Sequence, residues 1–242
     1  MSGNKVIVIL GSGPGIGVAT GAVFASKGFD VALLSRNAER LDQDVARVRK
    51  ANPSVKVQAY PVDLGDHNAL ALVLGKIGTE LGPPELVYYN AARVVPSKLG
   101  QTAPDVVLED FKSMTLGLWV AASWALPHLT AAAAAGKPGS HPSFLFTNSG
   151  LYDRPLADFA SLSAQKAAQY NLLLSLKQMV ESKGVHVGGV NIGGLVSDED
   201  PVTNPRNIAQ ALFEMYEQDK PNWQWERNVG DWDEFLRKIG MQ

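Results

Sequence analysis

The stretch GSGPGIG, residues 11–17, determines the fold expected for this chain. It follows the apolar, β-branched run 5–10, which is typical of a strand, and it precedes the helical spacing of residues 16–27. Glycines here leave no Cβ in the way of a phosphate group that approaches the backbone. The backbone N–H groups and the positive end of the following helix attract an anion. The turn therefore predicts nucleotide binding, with a plain tight turn as the alternative.

Strands and helices alternate along the rest of the chain. Further strands are predicted at 31–34, 55–61, 85–90, 143–148 and 185–192. Further helices are predicted at 38–50, 68–82, 109–135, 159–182 and 207–218. Several strands are apolar on both faces, which is typical of a parallel sheet covered by helices on both sides. We therefore expect a single α/β domain over residues 1–242, built on a doubly wound parallel sheet.

The C-terminal segment 221–242 has a pattern of its own. It contains Trp223, Trp225 and Trp232, three of the five tryptophans. Alternating tryptophans followed by charged residues favour an edge strand and a short terminal helix. We expect this tail to pack on a lid over the site or on a neighbouring subunit.

Composition excludes several classes of function. The net charge of −2 offers no basic surface, so no nucleic-acid partner is expected. The absence of cysteine excludes thiolate nucleophiles and cysteine-based metal sites. The four histidines lack ligand spacing, so no metal is expected. The chain begins without a signal-sequence pattern and has no obvious membrane span, so we expect a cytoplasmic protein with no membrane partner.

Three motifs together resemble the short-chain dehydrogenase/reductase family. They are the glycine spacing Gly11-xxx-Gly15-Ile16-Gly17, the pair Asp63-Leu64 after the third strand, and Asn90-Ala91-Ala92 after the fourth. The resemblance covers about residues 5–220 and implies a Rossmann-type fold that binds a nicotinamide dinucleotide. It also implies that Asp63 and Leu64 flank the adenine, and that Asn90 and Ala91 contact the cofactor and the central sheet. Ala92 stands where the family usually has glycine.

The end of the second strand favours NADP(H) over NAD(H). An acidic residue there would bind a ribose 2′-hydroxyl, whereas Ser35 and Arg36 suit a 2′-phosphate through charge-assisted hydrogen bonds. The nearest acid, Asp30, precedes the strand. The alternative is that Arg36 is simply a solvated residue.

The catalytic positions depart from the family pattern. By resemblance, the reactive centre has a serine, a Tyr-xxx-Lys pair and an asparagine, and Ser149 and Lys166 match the serine and the lysine. Leu162 stands at the tyrosine position and Met114 at the asparagine position. A leucine has no proton to move, and general acid catalysis contributes about 10²- to 10⁴-fold. Tyr152, three residues after Ser149, is a candidate substitute acid.

Each candidate has a plain alternative. In the alternative, Ser149 is an ordinary hydroxyl at a strand end. Lys166 only binds the ribose, and the ring of Tyr152 only packs on the lid. The hypothesis is an atypical NADPH-dependent reductase of an apolar small molecule, such as an imine or iminium ion, an enone or a carbonyl compound. The alternatives are a non-reductive isomerase or cyclase and an NADP(H)-sensing binding protein.

The resemblance also implies a homodimer or homotetramer, with helices around 119–129 and 166–178 packed across two-fold axes. The segment 196–205 falls where the family has its variable substrate lid.

Overall fold

The computed structural model describes residues 4–240, so residues 1–3 and 241–242 of the expected domain and tail lie outside the described residues. The chain forms one seven-stranded sheet in the order β3-β2-β1-β4-β5-β6-β7, and all neighbouring strands pair in parallel. The strands are Val6–Leu10 (β1), Asp30–Ser35 (β2), Val57–Pro61 (β3), Leu86–Tyr89 (β4), Ser143–Ser149 (β5), His186–Gly193 (β6) and Glu226–Gly230 (β7). The expected doubly wound α/β fold is confirmed.

Helices cover both faces of the sheet. They are Ile16–Ser26 (α1), Ala38–Ala51 (α2), His67–Glu80 (α3), Pro104–Phe111 (α4), Gly117–Ala135 (α5), Ala160–Val180 (α6), Pro205–Tyr216 (α7) and Trp232–Lys238 (α8). Side chains of β1 alternate between the two cores, because successive residues of a strand point to opposite faces. Val8 packs with Leu118 of α5 and Leu173 of α6, whereas Ile9 packs with Phe24 of α1.

The strand order changes direction at β1, which lies between β2 and β4. From β1 the chain adds β2 and β3 on one side, and it then adds β4 to β7 on the other. In open α/β sheets, ligands bind in the crevice at such a switch point, beyond the carboxyl ends of the strands. The glycine turn after β1 and the residues after β4 and β5 therefore meet at one edge of the sheet.

The prediction of one regular helix over residues 109–135 was wrong about where the helix starts and about its being α-helical throughout. The helical stretch begins at Pro104, and Lys112–Leu116 is a π-helical segment between α4 and α5. Such π-bulges occur frequently at functional sites. In the described part of the chain, the stretch Pro104–Ala135 is long and apolar enough to span a membrane, a test that core helices of soluble proteins also pass.

In the C-terminal segment, β7 lies at the edge of the sheet beside β6, and α8 follows it directly. The tryptophan pair does not belong to the strand. Trp223 and Trp225 precede β7, and the Trp225 carbonyl accepts a hydrogen bond from the N–H of Gly189.

Candidate active site

A cavity of about 650 Å³ opens at the carboxyl edge of the sheet. Charged and polar residues of four different loops meet there. Most of the site residues predicted from the sequence line it, namely Gly11, Gly15, Ile16, Gly17, Ser35, Arg36, Asp63, Leu64, Asn90, Ala91, Ser149 and Lys166. Tyr152 is the exception.

At two positions of the glycine turn, the backbone of another residue lies too close for any side chain. Gly11 has a φ of +100°, and a Cβ built there would lie 2.7 Å from the backbone nitrogen of Ala91. A Cβ at Gly17 would lie 2.6 Å from the carbonyl oxygen of Gly11. Gly15 caps α1 without a side-chain hydrogen bond, and the first turn of α1 carries no acidic residue. The amino end of α1 is therefore open to an anion from the cavity.

An acidic side chain near the glycine turn is already engaged. The Ser12 hydroxyl donates to Oδ2 of Asp44 at 2.9 Å, and Nε of Arg40 donates to Oδ1 of the same carboxylate at 3.0 Å. Arg36 lines the cavity, and within residues 4–240 it forms no ion pair. Its guanidinium therefore remains free for a phosphate group in the cavity.

Asn90 ties the glycine turn to the central strands. Its Nδ2 donates to the Gly11 carbonyl at 3.0 Å, and its Oδ1 accepts from the hydroxyls of Thr147 at 2.9 Å and Tyr88 at 3.0 Å. These bonds join the ends of β1, β4 and β5. They hold the floor of the cavity rigid.

Lys166 is a buried cation on the cavity wall. It is 5% exposed, and its Nζ donates to the Thr147 carbonyl at 2.9 Å. Within the described residues it has no carboxylate partner, and burial lowers its pKa to about 8. Ser149 lines the cavity at the end of β5, whereas Leu162, one helical turn before Lys166, presents an apolar side chain to it. Leu162 is 4% exposed.

The π-helical segment is fastened to α6 by two glutamines. The Met114 carbonyl accepts from Nε2 of Gln169 at 2.8 Å, and the Thr115 hydroxyl donates to Oε1 of Gln165 at 2.7 Å. The Met114 side chain is fully buried and contributes no polar group to the cavity.

The structure does not bring Tyr152 together with Ser149 and Lys166. The Tyr152 hydroxyl donates to Oε2 of Glu226 at 3.1 Å, and its ring stacks on Tyr170 with centroids 4.0 Å apart. Burial and the Glu226 carboxylate raise the pKa of this phenol. Tyr152 is not among the described residues that line the cavity, and its role as a substitute acid stays a prediction.

Sequence reasoning missed the residues of α8 that line the cavity. Trp232 and Phe235 of α8 line the cavity, and their ring centroids lie 5.1 Å apart. The same apolar cluster contains Met114, Leu151, Leu156 and Leu162. The tryptophans of the C-terminal segment indicated that it packs on another part of the protein or on a second subunit, but they did not identify the cavity. Of the expected lid 196–205, Val196 lines the cavity.

Comparisons with known proteins bear on this geometry. A family model described as short chain dehydrogenase matches residues 5–206. The chain belongs to the short chain dehydrogenase family of oxidoreductases. The uncharacterized oxidoreductase YhdF of Bacillus subtilis is 26% identical over 203 residues, 84% of this chain and 67% of YhdF. An uncharacterized oxidoreductase of Mycobacterium tuberculosis is 30% identical over 97 residues, which span only 38% of that relative and 40% of this chain.

Solved structures show the same fold at low identity. A metagenomic short-chain oxidoreductase in complex with NADP has a TM-score of 0.82 at 20% identity, covering 95% of this chain and 98% of that one. An NADH-dependent reductase complexed with NAD has a TM-score of 0.81 at 17% identity, with coverage of 94% and 96%. A short chain oxidoreductase of Pseudomonas aeruginosa PAO1, described as containing an atypical catalytic center, has a TM-score of 0.80 at 21% identity, with coverage of 93% and 95%.

Proposed function

We propose that the chain is an atypical NADPH-dependent reductase of a small, largely apolar molecule. The observation that carries the proposal is the apolar side chain of Leu162 on the cavity wall, one turn before Lys166. The family resemblance places a tyrosine acid at this position. With Met114 at the asparagine position, both positions that handle a proton in the family pattern carry apolar side chains.

The residues present fit a phosphorylated dinucleotide. The open amino end of α1 and the glycine turn suit a pyrophosphate, and the unpaired Arg36 beside Ser35 suits a 2′-phosphate. Asp63 and Leu64 also line the cavity, and the family resemblance implies that they flank the adenine. A bound NADPH supplies a hydride to an electrophilic carbon.

Ser149 and Lys166 are the two polar residues that match the catalytic pattern of the family. The Ser149 hydroxyl is suited to hold the substrate oxygen or nitrogen, and Lys166 is suited to bind the nicotinamide ribose. A serine hydroxyl is a weak acid and does not replace the tyrosine. One N–H of the Lys166 ammonium donates to the Thr147 carbonyl, and in this proposal the other two bind the ribose.

This arrangement favours substrates that need no proton from a side chain. A ketone that accepts a hydride becomes an alkoxide and must then be protonated. An iminium ion becomes a neutral amine directly, and a conjugated enone gives an enolate that water protonates. Iminium ions, including imines that are already protonated in water, and enones are therefore the preferred substrate classes, with simple carbonyl compounds reduced slowly.

We also propose that the protein forms a homodimer or a homotetramer. Trp119 on α5 is 59% exposed, and Leu108 and Phe111 on α4 are also exposed. Burying such side chains against a second copy stabilises an assembly by the hydrophobic effect. Light scattering of the purified protein gives the subunit number. Cytoplasmic location stays a prediction.

The direct test is cofactor oxidation. Purified protein is incubated with NADPH and a panel of imines, enones and ketones, while absorbance at the nicotinamide band and product formation are followed. Loss of NADPH with a reduced product supports the proposal. Product without loss of NADPH indicates an isomerase or cyclase, and tight NADPH binding with no product indicates a sensor; either result contradicts it.

A further inference from the structure

Arg93 lies just beyond β4 on the cavity wall, and the proposed reaction does not use it. Its Nε donates to Oδ1 of Asp110, a carboxylate that is 2% exposed. The second oxygen of Asp110 accepts a hydrogen bond of 2.6 Å from the Ser161 hydroxyl. The backbone N–H of Ser161 in turn donates to the Ser97 hydroxyl at 3.0 Å. This buried network holds one edge of the Arg93 guanidinium in a fixed position.

The other edge of the guanidinium is not used by the protein. A guanidinium has five N–H donors, and four of them belong to the two Nη nitrogens. Across residues 4–240, neither Nη nitrogen of Arg93 donates a hydrogen bond to the chain, and its side chain is 35% exposed. Two parallel N–H groups on one edge match the two oxygens of a carboxylate.

The charge at this end of the cavity also favours an anion. The ionisable residues that line the cavity are Arg36, Asp63, Arg93 and Lys166. Arg36 and Asp63 follow β2 and β3, at the cofactor end, so the substrate end keeps two cationic side chains. Asp110 offsets part of this charge from behind Arg93. A carboxylate on a neutral substrate would offset the rest, and on an iminium ion it would make the substrate electrically neutral overall.

We propose that Arg93 anchors a carboxylate of the substrate. The substrate class is then an apolar small molecule that carries one carboxylate, with its apolar body against Trp232 and Phe235 of α8. Asp110 is the positioning residue that aims the guanidinium. This inference rests on the proposed function, because it assigns a substrate to the same cavity.

Calorimetric titration of the NADPH-loaded protein tests the inference without turnover. The probes are phenylacetate, 3-phenylpropionate and 4-phenylbutyrate, each compared with its own amide. We expect at least one acid to bind about 10-fold or more tightly than its amide, as charge-assisted hydrogen bonds do. Arg93→Gln brings that ratio to about one and leaves NADPH affinity unchanged, and Arg93→Lys gives an intermediate ratio because it keeps the charge without the planar fork.

Two further variants complete the design. Asp110→Asn lowers the acid-to-amide ratio, a readout that a purely structural role of Asp110 would not move. Arg47→Gln is the matched control, since Arg47 is an exposed arginine of α2 that does not line the cavity, and it keeps the wild-type ratio.

The outcomes separate this inference from the proposed function. Equal binding of every acid and its amide to the loaded protein overturns the inference and leaves the reductase proposal standing. An unchanged ratio in Arg93→Gln, or loss of NADPH binding in that variant alone, also overturns it. Failure of the wild-type protein to bind NADPH overturns both.

Discussion

The indole ring of Trp232 lies directly on Gly150. A Cβ built at Gly150 would come within 2.3 Å of Cγ and 2.4 Å of Cδ1 and Cδ2 of the indole. Gly150 follows Ser149, and Trp232 begins α8, so this contact joins the end of β5 to the helix that closes the cavity. No side chain fits between them without moving α8.

Gly150→Ala therefore displaces Trp232. We expect a loss of about 1–3 kcal/mol in the free energy of unfolding, as for other overpacked sites. Chemical denaturation measures it. Gly75→Ala is the matched control, because Gly75 is in α3 with nothing within 4 Å of a built Cβ, and alanine is the better helix former. Equal stability of both variants would show that α8 is not packed as described.

Leu162→Tyr tests the absence of the acid. A phenol at this position, one turn before Lys166, restores the proton donor that the family pattern has. We expect reduction of a ketone such as 1-tetralone to rise by about 10²- to 10⁴-fold in kcat. Leu162→Phe adds the ring without the hydroxyl and gives no such gain. Similar rates for the two variants would mean that the pocket, not the acid, limits ketone reduction.

Arg36→Ala tests the choice of cofactor. Removing the guanidinium takes away charge-assisted hydrogen bonds to a 2′-phosphate, each worth about 1.5–3 kcal/mol. We expect NADPH binding to weaken by about 10-fold or more while NADH binding stays the same, as measured by fluorescence titration. Arg47→Ala removes an exposed arginine of α2 that does not line the cavity, and it changes neither affinity. An equal loss of affinity for NADPH and NADH would show that Arg36 does not bind the 2′-phosphate.

Lys166 predicts a dependence of stability on pH. Its pKa is lowered from 10.5 to about 8 by burial, so between these values the unfolded chain binds the proton that the folded chain does not. Stability contributed by this residue therefore rises as pH increases from about 8 to about 10.5. Relative to Lys166→Met, the cofactor-free wild-type protein should gain up to about 3 kcal/mol over this range.

Denaturation at several pH values measures this difference. A difference between the wild-type protein and Lys166→Met that stays constant across this pH range would mean that burial of the ammonium is compensated in the folded protein.

Local patterns were enough for the fold and for the cofactor side of the cavity. The glycine turn and the residues after β2, β3 and β4 lie at strand ends, and parallel strands bring those ends to one edge. The substrate side depends on contacts between distant segments. Nothing local relates Gly150 to Trp232, or Tyr152 to Glu226, and the π-helical turn at Met114 depends on Gln165 and Gln169 of another helix. Such contacts depend on tertiary packing. Neither the hydrophobic period of a segment nor the spacing of residues in a motif encodes them.

The central claim is that the proton-donor position holds hydrocarbon, and one pair of substrates tests it most directly. The bicyclic iminium N-methyl-3,4-dihydroisoquinolinium and the similar-sized ketone 1-tetralone are each offered to the wild-type protein with NADPH, and kcat/KM is measured for both. We expect the wild-type protein to reduce the iminium ion at least about 100-fold more efficiently and Leu162→Tyr to lower that ratio, because only the ketone requires a proton from a side chain. Equal efficiency, or faster reduction of the ketone, would contradict the central claim.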